Sequence, residues 1–233
     1  MILNYPFLNM ENLDGIISLL IACLEFVFLI NLLVFAQKNS VNKKIIILVL
    51  LLFLYQMMEF LICYAGMNSA FVIYSVYVVI SFLPPLGLII VLNYYNKQHR
   101  LLKLLYLPPL FFAFYYPLVL SKFEIAKCTV LYASYNYPLG FLYGLFYYIP
   151  VLLTILFLFR QQFSMRGSGR RPLGTVLLAG YLIAFVPNML FYFIIPGFTD
   201  IIESIMCKFA LLLAIAYTYF ALKNKQDQEG NGP

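Results

Sequence analysis

A chain of 233 residues that is 64% hydrophobic and 10% charged, with a mean hydropathy of +0.92, is excluded from the water-soluble globular class. Its net charge of +6 would suit a nucleic-acid partner only if the basic residues gathered on one soluble surface, and they are instead dispersed among short connections between apolar runs. No nucleic acid is expected, and the partner that composition does require is the lipid bilayer.

A hydrocarbon core of about 30 Å takes ~20 apolar residues per helix. Seven segments supply them, at 14–37, 43–66, 70–95, 101–120, 137–161, 174–196 and 200–222. Barrel strands would alternate polar and apolar residues, and these runs do not. The expected fold class is therefore all-α: one seven-helix transmembrane domain over 1–222, followed by a disordered polar tail over 223–233. The first thirteen residues carry Glu11 but no Lys or Arg. They lack the basic n-region of a cleaved signal peptide, so the first segment is expected to be retained. Every Lys and Arg except Lys122, Lys127 and Lys208 falls in the connections 37–44, 95–103 and 160–172 or in the tail. Basic connections stay on the cytoplasmic side, which puts the N-terminus outside and the C-terminus inside an inner membrane.

Along the chain, the first segment carries Glu25 near mid-membrane. The second carries Glu59, with Gln56 at i−3, Tyr55 at i−4 and Cys63 at i+4, a polar stripe on one helix face. Prolines then fall inside four segments: Pro84-Pro85 in the third, Pro108-Pro109 and Pro117 in the fourth, Pro150 in the fifth and Pro187 in the sixth. Each removes a backbone donor, so kinks are expected there. The long connection before the fifth segment contains Cys128, which either stays a free thiol or pairs with Cys63. Tyr143 and Tyr147 lie early in the fifth segment and Asn188 late in the sixth. The seventh begins with Asp200 and Glu203, placed where a carboxylate complements a helix N-terminus, and carries Lys208 further in.

An unpaired charge at mid-bilayer costs at least ~2.5 kcal/mol, so Glu25, Glu59 and Lys208 are expected to face the bundle interior. Glu203 is five residues from Lys208, about 140° around the axis, which leaves Glu59 on the second helix as the natural partner. Glu59, Lys208, Gln56, Tyr55, Glu25 and Asn188 form the candidate ligand- or proton-binding set, with Tyr143 and Tyr147 beside it.

No catalytic set accompanies it. His99, the single histidine, lies in an inner connection, no cysteine pair has metal-site spacing, and no cofactor is called for. A lysine in a seventh helix invites comparison with retinal-binding proteins, but the third segment has no acidic counterion and the chain has no tryptophan. The expected function is a membrane receptor, sensor or transporter for a small polar solute, an ion or a proton. The alternatives are a non-catalytic subunit that docks a protein partner through the basic stretch 160–172, and an intramembrane enzyme.

The stretches YQMMEF, with Gln56 and Glu59, and ESIMCKFA, with Ser204, Cys207 and Ala210, resemble a family of small bacterial seven-helix membrane proteins of unknown function. That family carries Gln-x-x-Glu in its second helix and Ser-Val-x-Cys-x-x-Ala in its last. The stretch CTVLYASYNYPLGFLYGLFYYIP is similar too. The resemblance implies the same seven-helix architecture and treats Gln56 and Glu59 as a unit.

Overall fold

The computed structural model describes residues 15–67, 69–97, 100–129, 133–164, 171–194 and 202–224. Glu11, His99, the part of the basic stretch at 165–170, Asp200 and the tail from 225 lie outside these residues, as do the side chains of Arg171 and Glu203. Among the described residues, six helices are long and apolar enough to cross a membrane, and a shorter apolar helix covers Pro172–Asn188. In chain order the helices are α1 (Ile16–Phe35), α2 (Ser40–Cys63), α3 (Ala70–Ser81), α4 (Leu83–Tyr94), α5 (Leu107–Tyr115), α6 (Gly140–Ser164), α7 (Arg171–Ile194) and α8 (Ile202–Lys223).

Proline divides the expected third and fourth segments. α3 and α4 meet at Phe82, with Pro84 and Pro85 in the first turn of α4, where their missing N–H groups break no helical bond. The fourth segment is a 3-10 turn at Arg100–Tyr106, then α5, then a second 3-10 turn at Tyr116–Lys122. Pro150 and Pro187, by contrast, sit inside uninterrupted helices. The third span is the core of the bundle: 72% of its apolar window is buried, against 17% for the fourth, which lies at the periphery.

The long connection is not the plain loop of an all-α chain. It forms an antiparallel hairpin, β1 (Glu124–Cys128) and β2 (Ala133–Asn136), with an irregularity between Ile125 and Lys127. A disulfide joins Cys63 at the end of α2 to Cys128 on β1, with the Cα atoms 5.5 Å apart. The Tyr77 ring of α3 packs against Phe123, Tyr135 and Tyr137 around the hairpin and against Tyr143 of α6, mostly edge to face. These contacts seat the hairpin on one end of the bundle.

At the opposite end, α2 and α8 are tied together. Asn39 caps α2 by accepting from the Asn42 backbone N–H at 2.8 Å. Asn42, fully buried, donates to the Ala221 carbonyl at 3.1 Å and accepts from Asn224 at 3.1 Å. Residues 223 and 224, expected as the start of the tail, are thus the last turn of α8 and a buried amide behind it. α8 also meets α7 closely. A Cβ built on Gly180 would lie 2.6 Å from the Ala216 Cβ, and the Tyr181 and Tyr217 hydroxyls are 2.8 Å apart in the same contact. Gly180→Ala is therefore expected to push α7 from α8 and destabilise the protein by about 1–3 kcal/mol. Unfolding in detergent followed by circular dichroism checks this, and an unchanged midpoint would show that the two helices can separate without penalty.

Candidate functional site

The hairpin end of the bundle brings α1, α2 and α8 together. Gly15 begins α1 with φ 76°, a left-handed conformation that favours glycine. A Cβ there would come within 3.1 Å of the Cys63 Cβ and 3.4 Å of the Phe60 Cα. The absent side chain lets α1 start hard against the last turns of α2, with Ser18 beside Glu59.

On α2, Gln56 and Glu59 are one turn apart and share a face, and Ser204 and Lys208 do the same on α8. Side chains on a helix lean towards its N-terminus, so the lysine stem rises towards the hairpin. Lys208 Nζ donates to Glu59 Oε1 at 2.6 Å, Ser18 Oγ at 2.7 Å and Gln56 Oε1 at 3.0 Å. These three bonds use all three ammonium protons. Glu59 Oε1 also accepts from Ser18 Oγ at 3.1 Å and Ser204 Oγ at 2.9 Å. Gln56 Nε2 donates to the Cys207 carbonyl at 2.9 Å, which fixes the orientation of its amide. The Ala133 N–H of the hairpin donates to Ser204 Oγ at 3.1 Å. One carboxylate oxygen is therefore the meeting point of three helices, and the hairpin reaches it through a single serine.

The pair is closed off from the surroundings: the Lys208 side chain is 8% exposed and that of Glu59 1%. Interhelical polar contacts in membranes contribute on average only ~0.6 kcal/mol, too little to account for burying two full charges. Charge-assisted bonds on both partners are what make the arrangement tolerable.

The other candidate residues are placed differently. Tyr55 is fully buried beside Glu59 and Cys207, but its hydroxyl does not meet hydrogen-bond geometry with either. Glu25 is fully buried on the inward face of α1, and neither of its carboxyl oxygens has a hydrogen-bond partner among the described residues; the Lys208 charge acts on it from a distance. Asn188 does not join the centre. α7 packs on α8 and α6, whereas the ion pair lies among α1, α2 and α8, and Asn188 Nδ2 donates to the Ala184 carbonyl one turn back at 2.7 Å. Tyr143 and Tyr147 belong to the aromatic packing of α6; Ser81 Oγ donates to the Tyr77 carbonyl at 2.5 Å and lies 3.2 Å from the Tyr143 hydroxyl. The single expected pocket is thus two places, an ionic centre and an aromatic cluster.

Sequence reasoning passed over Ser18 and the hairpin amide, and it met Ser204 only in the family resemblance, not as part of the binding set. Ser204 is the i−4 neighbour of Lys208, and Ser18 lies seven residues before Glu25 on the same face, so spacing carried a signal for both. A hydroxyl in a membrane helix usually bonds its own preceding turn, as Thr154 does to the Pro150 carbonyl, which is why that signal is faint. Among the described residues no group of three or more His, Cys, Asp or Glu side chains could hold a metal.

No curated protein and no solved structure matches the chain. A family model described as the N-terminal 7TM region of histidine kinase matches residues 18–224, from the serine of the ionic centre to the asparagine that closes α8. It agrees, at the level of a bacterial seven-helix membrane family, with the resemblance carried by the second and last helices. The chain is a multi-pass membrane protein and belongs to the family of N-terminal seven-transmembrane regions of histidine kinases.

Proposed function

We propose that this chain is a membrane sensor region in which the Glu59–Lys208 centre receives a chemical signal and α8 carries it across the bilayer. The hairpin end faces outside in this reading. The retention of basic residues on the cytoplasmic side supports that orientation, because among the described residues the connections at the hairpin end carry Lys122 and Lys127 while Lys38, Lys43, Lys44 and Lys223 flank the other end. A disulfide at the hairpin suits an oxidising exterior.

The observation that carries the reading is the continuous bonded path from the hairpin through Ser204 and Glu59 to Lys208, all of it held on α8 or against it. α8 is held at three levels: by this centre, by Tyr217 against Tyr181, and by the Ala221 carbonyl and Asn224 against Asn42. A signal that weakens the first tie changes the balance that positions the last, since a ligand shifts a conformational equilibrium by its differential interaction with the two states. In histidine kinases an N-terminal membrane region has a kinase module to inform. The far end of α8 would be read by such a module, in the same polypeptide or associated with it.

Spin labels at the exposed positions Ile47 on α2 and Leu222 on α8 test this in lipid nanodiscs. In the wild type, the distance distribution between them is expected to respond to pH or to a small polar solute, and Glu59→Gln is expected to abolish that response while the protein stays folded. Identical distributions for wild type, Glu59→Gln and Lys208→Met would reduce the centre to a structural clamp.

A further inference from the structure

The ionic centre is short of hydrogen-bond donors. Every proton of the Lys208 ammonium is used, yet Glu59 Oε2 and both Glu25 oxygens are buried without a donor among the described residues. The charges are unequal in the same sense: two carboxyl groups, Glu25 and Glu59, face one ammonium. An anionic ligand would find no free donor on Lys208 and would add to the acidic excess. What the cluster lacks is a positively charged donor, and at a side chain with 0% exposure the smallest one is a proton.

Glu25 is the place for it. It lies on the same buried stripe of α1 as Ser18, with Ile21 and Ala22 between them and Leu29 and Leu32 beyond, so two turns separate it from the hydroxyl that holds the ammonium. α1 packs on α2 and α8. The titratable and charged groups these helices contribute to this part of the bundle are Tyr55 and Glu59 from α2, and Cys207 and Lys208 from α8. Only Lys208 among them is cationic, and its three protons are already held at Ser18, Gln56 and Glu59. A carboxylate at Glu25 would have no hydrogen-bond partner among the described residues, whereas a carboxylic acid carries its own donor.

We infer that Glu25 is a proton-binding site whose occupancy decides whether Lys208 stays with Glu59. With the proton bound, the cluster is neutral and the ammonium remains in its triad. With the proton released, Glu25 becomes a second anion competing for the same ammonium, and the tie between α2 and α8 loosens. This rests on the sensor reading above and names its signal as the proton.

Difference infrared spectroscopy of the protein in nanodiscs, titrated through the pH range in which it stays folded, reads the carbonyl stretch of a protonated carboxylic acid directly. The wild type is expected to show one such band at a frequency typical of an apolar environment. The band should be lost in Glu25→Gln and kept in Glu59→Gln. A wild-type titration without the band, or a band that survives in Glu25→Gln, overturns the assignment. Should Glu25→Gln fail to fold, Glu25→Asp keeps the acid one methylene shorter: a shifted band supports the assignment and an unshifted one refutes it. The two readings fail separately. A band that vanishes in Glu25→Gln while α8 shows no pH-dependent displacement leaves Glu25 as a proton site and removes the sensor role. A displacement driven by a polar solute, with no acid band, leaves the sensor role and removes the proton.

Discussion

Lys208→Met is expected to destabilise the protein by about 3–5 kcal/mol, the usual cost of stranding one member of a buried ion pair. The loss comes less from the attraction removed than from Glu59, which would keep its burial and its two serine donors but lose its counter-charge. Adding Glu59→Gln should return most of the loss, because a neutral amide with Ser18 and Ser204 nearby carries no uncompensated charge. A double-mutant cycle measured by unfolding in detergent separates these contributions. If Lys208→Met alone costs less than ~1 kcal/mol, or if the double variant is as unstable as the sum of the singles, the pair does not hold the bundle as its geometry implies.

Replacing both Cys63 and Cys128 by Ala should have the next largest effect. The disulfide closes a loop with a sequence separation of 65, and chain entropy assigns about 4 kcal/mol to a loop of that size. That figure is an upper limit here, since helices that remain inserted already restrict the unfolded chain. The replacement should also act locally. Cys63 is one turn beyond Glu59, and the hairpin it anchors supplies the Ala133 N–H to Ser204. Hydrogen exchange at Ala133 is expected to speed up in the double variant before global unfolding does. An unchanged unfolding midpoint together with unchanged exchange at Ala133 would mean that the aromatic packing around Tyr77 seats the hairpin without the covalent link.

Several features of the fold were legible because they follow from the cost of moving groups between water and hydrocarbon, which each residue carries regardless of its neighbours. The apolar lengths mark the spans, and alternate connections together with the tail collect the basic residues. Proline was partly legible. That it removes a donor is local, but whether the helix breaks depends on what replaces the bond: Pro84 and Pro85 end one helix and begin another, whereas Pro150 and Pro187 are absorbed inside α6 and α7. The hairpin was not legible, because a connection of this kind gains strand pairing only when something such as the Tyr77 cluster and Cys63 fixes it in place.

The candidate site divides along the same line. Periodicity puts Tyr55, Gln56 and Glu59 on one face of α2, and Ser204 and Lys208 on one face of α8, with no knowledge of the fold. The sequence by itself thus determined that this is a membrane protein, where its helices run, and that Glu25, Glu59 and Lys208 must turn inward. Only the tertiary structure decided which inward faces meet. Helix spacing fixes the direction of a side chain around its own axis but says nothing about which helix lies beyond it. For that reason Asn188, polar and near the end of its span, bonds its own helix, while Ser18, one ordinary hydroxyl among apolar neighbours, holds the ammonium of Lys208.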